Sequence, residues 1–214
     1  MTTLSLTRLT GLFYLLIIIL GMTTELAIRA PLIDPDSAAT TAANIKAHAT
    51  LYRFGILGDA GMILADIAVA VLFYVLLKPV SQPLALTAMA LRLVQAATLA
   101  ANLVTAYAPL LLIGADDILA HRFALLHATG YDLGLIFFGV NCLVMGLLIH
   151  RAPFLPAPLG WLIGASGLVY LTGSTVAILA PPLASTLEPA YLLPLMSETA
   201  FCLWLLLSPK PQVR

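Results

Sequence analysis

The sequence predicts an all-α polytopic membrane protein, a helical bundle of about six transmembrane helices. Three observations lead there. Hydrophobic residues fill 61% of the 214 positions and charged residues only 9%, against roughly 25% charged in a soluble domain. The mean hydropathy of +1.03 leaves too little polar material to cover a water-soluble surface. The apolar runs also reach the roughly 20 residues that cross a hydrocarbon core.

Six spans can be drawn, at about 9–30, 55–78, 84–113, 122–151, 157–180 and 189–208. Turn material separates them: Pro31 to Asp36, Lys78-Pro79 through Pro83, Asp116-Asp117, Pro153 through Pro158, Pro181-Pro182 with Pro189, and Pro209. The first run follows Arg8 like a signal peptide, but it stays apolar to Ala30 without a small-x-small cleavage pattern. It reads as an uncleaved span. The fifth boundary is the weakest, because residues 152–187 carry no formal charge.

Between the first two spans, about 34–52, lies the longest polar segment, expected outside the cytoplasm. Asp34-Pro35 has the form of an N-cap followed by proline at the first helical position. Ala38, Ala42, Ile45, Ala49 and Tyr52 recur at helical spacing, predicting a short helix lying on the bundle or at the interface. Residues 1–214 are expected to form one integral-membrane domain without an internal repeat.

Charge sets the expected orientation. Six crossings put both termini on one side with Arg8, Lys78, Arg151, Lys210 and Arg214, while Asp34, Asp36, Asp116, Asp117 and Glu188 fall on the other. Lys and Arg at span ends favour the cytoplasm, so both termini are expected there. Ten basic and ten acidic residues cancel, and no basic cluster suggests nucleic acid. Cys142 and Cys202 lie inside apolar runs and read as small buried hydrophobes.

Ionisable residues well inside the spans are the informative ones, since a mid-bilayer charge costs at least roughly 2.5–3.5 kcal/mol and seeks a partner in the bundle. They are Glu25 and Arg29 on the first span, Asp59 and Asp66 on the second, Arg92 on the third, His127 and Asp132 on the fourth, and Glu198 on the sixth. Depth counting at 1.5 Å per residue puts Asp66, Arg92 and Glu198 at comparable levels, with Arg92 able to donate to both carboxylates. Glu25, Arg29, Asp59, His127 and Asp132 form a second expected cluster toward the outer side; Tyr131 shares a helical face with His127, whereas Asp132 is rotated from it, with a neighbouring helix as the other direction open to it. Such groups mark ligand routes or lock helix register; both readings stay open. Gln95, Asn102 and Asn141 read as structural hydrogen-bonders.

Several chemistries find no complete motif. Gly164-Ala165-Ser166-Gly167 has the form of a rhomboid serine motif, but every histidine precedes Ser166, so no base lies downstream to activate it. There is no H-E-x-x-H or Cys-x-x-Cys for zinc, no set of imidazoles at matched depth for haem, and no phosphate-binding loop. No catalytic residue, metal or cofactor is therefore assigned. Gly130-x-x-x-Gly134, Gly160-x-x-x-Gly164 and the stripe Gly55, Gly58, Gly61 fit close helix packing.

The start Arg8-Leu-Thr-Gly-Leu-Phe-Tyr-Leu-Leu-Ile-Ile, then Leu51-Tyr-Arg-Phe-Gly, Leu76-Leu-Lys-Pro-Val-Ser and Leu91-Arg-Leu-Val-Gln-Ala resemble the bacterial membrane family of domain of unknown function 4386. The run His127-Ala-Thr-Gly-Tyr-Asp-Leu-Gly-Leu-Ile-Phe-Phe-Gly, with Phe154-Leu-Pro and Leu159-Gly, is the most specific part. The resemblance implies a compact multi-span bundle in a bacterial plasma membrane. It also implies recurring polar sites at Arg53, Asp59, Arg92, His127, Asp132 and Glu198, with departures at Asn141, where relatives carry histidine, and at Gly173. It implies no activity. The expected function is transport, conduction or sensing of a small ligand through an interior polar cavity. The open alternatives are an intramembrane enzyme on a lipid or small apolar substrate, with Arg53 and Arg29 orienting an anionic head group, and an accessory subunit of a membrane complex. Membrane lipids, a small-molecule ligand and a homodimer or membrane partner are the expected partners.

Overall fold

The computed structural model describes residues 3–207; Ser208, Pro209, Lys210 and Arg214, used above for span ends and orientation, lie outside them. The described residues hold six helices long and apolar enough to span a membrane. α1 (Thr3–Met22) runs on through a π-helical stretch, Thr23–Arg29, into the single turn α2 (Ala30–Leu32). α3 (Ala38–Ala47) is the short connecting helix. α4 (Ala49–Leu77), α5 (Gln82–Leu112), α6 (Asp117–Arg151) and α7 (Ala157–Leu179) are the next four spans. A 3-10 helix, Pro181–Tyr191, leads into α8 (Leu192–Leu207) and completes the sixth. The protein is a multi-pass membrane bundle.

The spans close into a ring: α1 packs on α4, α4 on α5, α5 on α6, α6 on α7, α7 on α8, and α8 returns to α1. Inside the ring Phe73 and Phe201 stack with centroids 5.6 Å apart, and Tyr14 meets both edge-on. Leu76, Leu77, Leu148, Ile149 and Leu205 fill the space below them, away from α3. Leu12, Ile19, Leu64, Val104 and Leu111 stay exposed on the outside, where lipid tails solvate them.

Helix ends explain the departures from the sequence reading. α4 and α6 start at Ala49 and Asp117, before the expected 55 and 122, because a helix does not stop where the lipid does. Asp116 caps α6 by accepting from Leu119 N at 2.9 Å, and Gly114 turns the chain at φ +91°, a conformation suited to glycine. α3 is capped by Ser37, whose Oγ accepts from Thr40 N at 3.2 Å, and not by Asp34. The Asp34 carboxylate instead accepts from Asp36 N in a local turn. His48 leaves helical geometry (φ −119°, ψ 33°), so α3 ends at Ala47 and Tyr52 belongs to α4. Pro181, Pro182 and Pro189 lack the N–H groups of an α-helical ladder, which accounts for the tighter start of the sixth span.

α3 is docked onto the bundle. Thr41 Oγ1 donates to Asp34 O at 3.0 Å, Ile45 packs with Ile28, Leu32 and Tyr52, and the helix lies against α6. α6 and α7 cross through glycine: a Cβ on Gly146 or on Gly160 would stand 2.6 Å from the other's carbonyl oxygen. Gly130 and Gly134 face α5, and Gly55, Gly58 and Gly61 face the first span. Ser166 lies mid-helix in α7, fully buried, donating to Leu162 O at 2.9 Å and touching Ser197 Oγ. It is a packing residue.

Candidate functional site

The π-helical stretch shapes the site. Its i→i+5 bonding brings residues five apart toward one face, which an α-helix of 3.6 residues per turn would separate. Thr24 and Arg29 thus both reach α4, with Arg29 Nη2 3.4 Å from Thr24 Oγ1. Gly58 makes the approach possible, since a Cβ there would lie 2.5 Å from Thr24 Cγ2. Thr24 Oγ1 donates to Asp59 Oδ1 at 3.0 Å, and Arg29 Nη1 pairs with Asp59 Oδ2 at 2.5 Å. On its other side Arg29 Nε donates to Glu25 Oε2 at 2.8 Å.

α5 and α6 bring the histidine. Asn102 Nδ2 donates to His127 O at 2.8 Å, fixing α5 against α6. His127 Nδ1 lies 3.3 Å from Asn102 O and 3.4 Å from Thr105 Oγ1. A carbonyl oxygen only accepts, so the Nδ1 contact with it is made by an N–H, and in the neutral ring Nε2 is then the lone-pair nitrogen. Nε2 is buried, has no hydrogen-bond partner, and stands 3.8 Å from Asp59 Oδ2. Both atoms are acceptors. They stand behind the cleft wall: His127 borders the cleft, but its Nε2 is buried, and Asp59 is buried and does not line the cleft.

A cleft of about 230 Å³ borders this group. Glu25, Arg29, His127 and Tyr131 form its polar wall, and Ile33, Ala124 and Leu125 are among its apolar residues. Tyr131 OH contacts Met62 Sδ at 3.7 Å, a weak acceptor. Of the outer residues singled out in the sequence, Glu25, Arg29, Asp59, His127 and Tyr131 come together here. Asp132 is half-buried and has no ion pair or hydrogen bond among the described residues. Arg53 is exposed on α4 and likewise has no polar partner among them.

A second polar group lies deeper. Arg92 Nε and Nη2 both approach Asp66 Oδ1, at 2.7 and 2.5 Å. Arg92 does not bridge to Glu198 as expected. Its guanidinium is flanked by the rings of Tyr14 (5.5 Å) and Phe138 (5.1 Å), and Tyr14 turns its hydroxyl toward Glu198. Glu198 accepts from Tyr14 OH at 2.9 Å and Tyr170 OH at 2.5 Å. Gln95, Asn102 and Asn141 are buried, and Asn141 Nδ2 donates to Ala88 O at 2.6 Å.

Sequence reasoning passed over Thr24, Thr105, Tyr14 and Tyr170. Buried tyrosines in a span need hydroxyl partners, which was the available signal for Tyr14 and Tyr170. The threonines carried none, because Thr24 reaches Asp59 only through the π-helical geometry.

No solved structure matches the chain. An uncharacterized protein of Archaeoglobus fulgidus is 30% identical over 118 residues, a match covering 55% of this chain and 64% of that protein's length. The family model described as domain of unknown function (DUF4386) matches residues 9–208, and the chain belongs to that family.

Proposed function

We propose that the protein binds a small ligand in the cleft between the first span and α6, for transport or sensing, with His127 as the hydrogen-bond acceptor and proton-exchanging group. One observation carries this reading: a buried imidazole nitrogen without a partner, on a residue that borders a cleft. The large majority of buried side-chain polar atoms in packed interiors have a hydrogen-bond partner, so one that lacks it beside a cleft asks for one. The π-helical stretch at the same place adds support, since such irregularities concentrate at functional sites. Arg8, Lys78 and Arg151 lie at the bundle end opposite α3, so the cleft faces away from the cytoplasm under the positive-inside rule. Thiol labelling of single cysteines placed at Ala39 and Pro79 checks that orientation: outside access is expected at Ala39 alone.

A ligand that binds the folded state raises its melting temperature by mass action. The test is a thermal-stability screen in lipid nanodiscs against small amines, guanidines, alcohols and carboxylates, run on the wild type and on His127→Leu. At least one chemical class should stabilise the wild type saturably and leave H127L unmoved. Identical responses in both proteins would end the cleft reading.

A further inference from the structure

The charge at the cleft and the pair of acceptors behind its wall together name a ligand class. Asp59 and Glu25 supply two carboxylates, and Arg29 supplies one guanidinium already committed to both. With His127 neutral, one negative charge is left over. α5 adds only the neutral Asn102 and Thr105, and α6 adds only Tyr131 beside the histidine. An anion entering here would meet Glu25 in the wall and Asp59 behind it, with Arg29, the lining's cation among the described residues, already paired. A cation meets the surplus.

The pair of acceptors is more specific than the charge. Asp59 Oδ2 and His127 Nε2 stand 3.8 Å apart. A donor nitrogen at about 2.8 Å from each, the usual charge-assisted distance, sees them at an angle of about 85°. That suits two N–H bonds of one ammonium group. It does not suit a quaternary ammonium, which has no N–H to give. The cleft's 230 Å³ lies below the roughly 300–1,000 Å³ of drug-sized sites, so the ligand is small. Ala30, Ile33, Ala124, Leu125 and Ala128 leave the rest of the wall apolar, matching a short hydrocarbon stem.

We infer that the cleft is a site for a small primary alkylammonium ion, its nitrogen reaching Asp59 Oδ2 and His127 Nε2 behind the wall on a small shift of the lining side chains and its stem lying along the apolar wall. This rests on the cleft being the ligand site. Binding requires the neutral imidazole, because a proton on Nε2 occupies the lone pair that the ammonium uses. Glu25 and Arg29 on the first span and Asp59 on α4 are the charged groups facing that ring.

Four probes test the inference on the full chain in zwitterionic nanodiscs at pH 8: propylamine, tetramethylammonium, propionate and propanol, read by thermal unfolding. Propylamine should stabilise saturably, and the other three should not. His127→Leu should weaken propylamine about 10- to 100-fold, the worth of one hydrogen bond to a charged group. Glu25→Gln, at an exposed side chain in the cleft wall, should weaken it severalfold. Equal binding of tetramethylammonium, or propylamine affinity in H127L equal to that of the wild type, overturns the assignment. Stabilisation by propionate that vanishes in H127L also overturns it, but leaves the cleft standing as a ligand site. No H127L-sensitive response to any probe takes down both.

Discussion

Two aspartates seven residues apart on one face of α4 each meet an arginine from a neighbouring helix, and they end in different surroundings. Asp66 and Arg92 are sealed by aromatic rings, with Arg92 only 4% exposed. Asp59 shares Arg29 with Glu25, whose side chain is 59% exposed, and shares its other neighbour, His127, with a cleft. Asp66 Oδ2, Gln95 Oε1 and Asn141 Oδ1 also have no partner, but none of these residues borders the cleft. The difference teaches that a buried ion pair in a membrane helix is not by itself a sign of function. An unsatisfied buried atom on a residue that borders open space is the sharper mark.

The contrast can be broken at its arginines. Arg92→Ala strands a carboxylate in the dry core and should cost about 3–5 kcal/mol, with Arg92→Lys recovering only part because the planar fork is lost. Arg29→Ala should cost less than half as much, since water entering the cleft hydrates Asp59. Melting in detergent compares them, and equal losses would erase the distinction between the two groups.

Smaller effects sharpen it. Glu198→Leu should cost about 1–3 kcal/mol for each tyrosine hydroxyl it strands, whereas Glu198→Gln keeps an acceptor and should cost less. Gly160→Ala should lose about 1–3 kcal/mol by forcing α7 off the Gly146 carbonyl. His127→Leu should change stability least, by about 1 kcal/mol, because Thr105 Oγ1 still donates to Asn102 O at 2.6 Å. Propylamine binding should weaken as pH falls through the titration of His127. The sign follows from competition, since each proton taken up on Nε2 removes an acceptor. His127→Gln keeps an acceptor that does not titrate there, so its binding should be weaker than wild type and flat with pH.

Much of this was legible in the sequence. Span number followed from hydropathy and length, and the charged members of both polar groups, Asp132 aside, followed from the cost of charge in lipid. Arg92 with Asp66 was readable by depth alone. Its separation from Glu198 was not, because depth counting gives height along a helix and not what stands between two side chains; here Tyr14 does. The capping of α3 by Ser37 was missed because Asp34-Pro35 carries the same cap signal and spends its carboxylate on Asp36. The π-helical turn had no sequence signature, and with it went Thr24. Asp132, one position from Tyr131, shows the limit of residue counting: adjacent positions on a helix point about 100° apart.

The free state of His127 Nε2 is the point on which the cleft reading stands. Nitrogen NMR of imidazole-labelled protein in nanodiscs measures it directly, because the shifts of the two ring nitrogens report which one bears a proton. At pH 8 the expected spectrum has Nδ1 protonated and Nε2 bare, with Nε2 shifting when propylamine is added and not when propionate is. An Nε2 that stays protonated from pH 5 to 8 would place His127 in a standing ion pair with Asp59. The gap would then be filled from within, and the cleft would have no acceptor to offer.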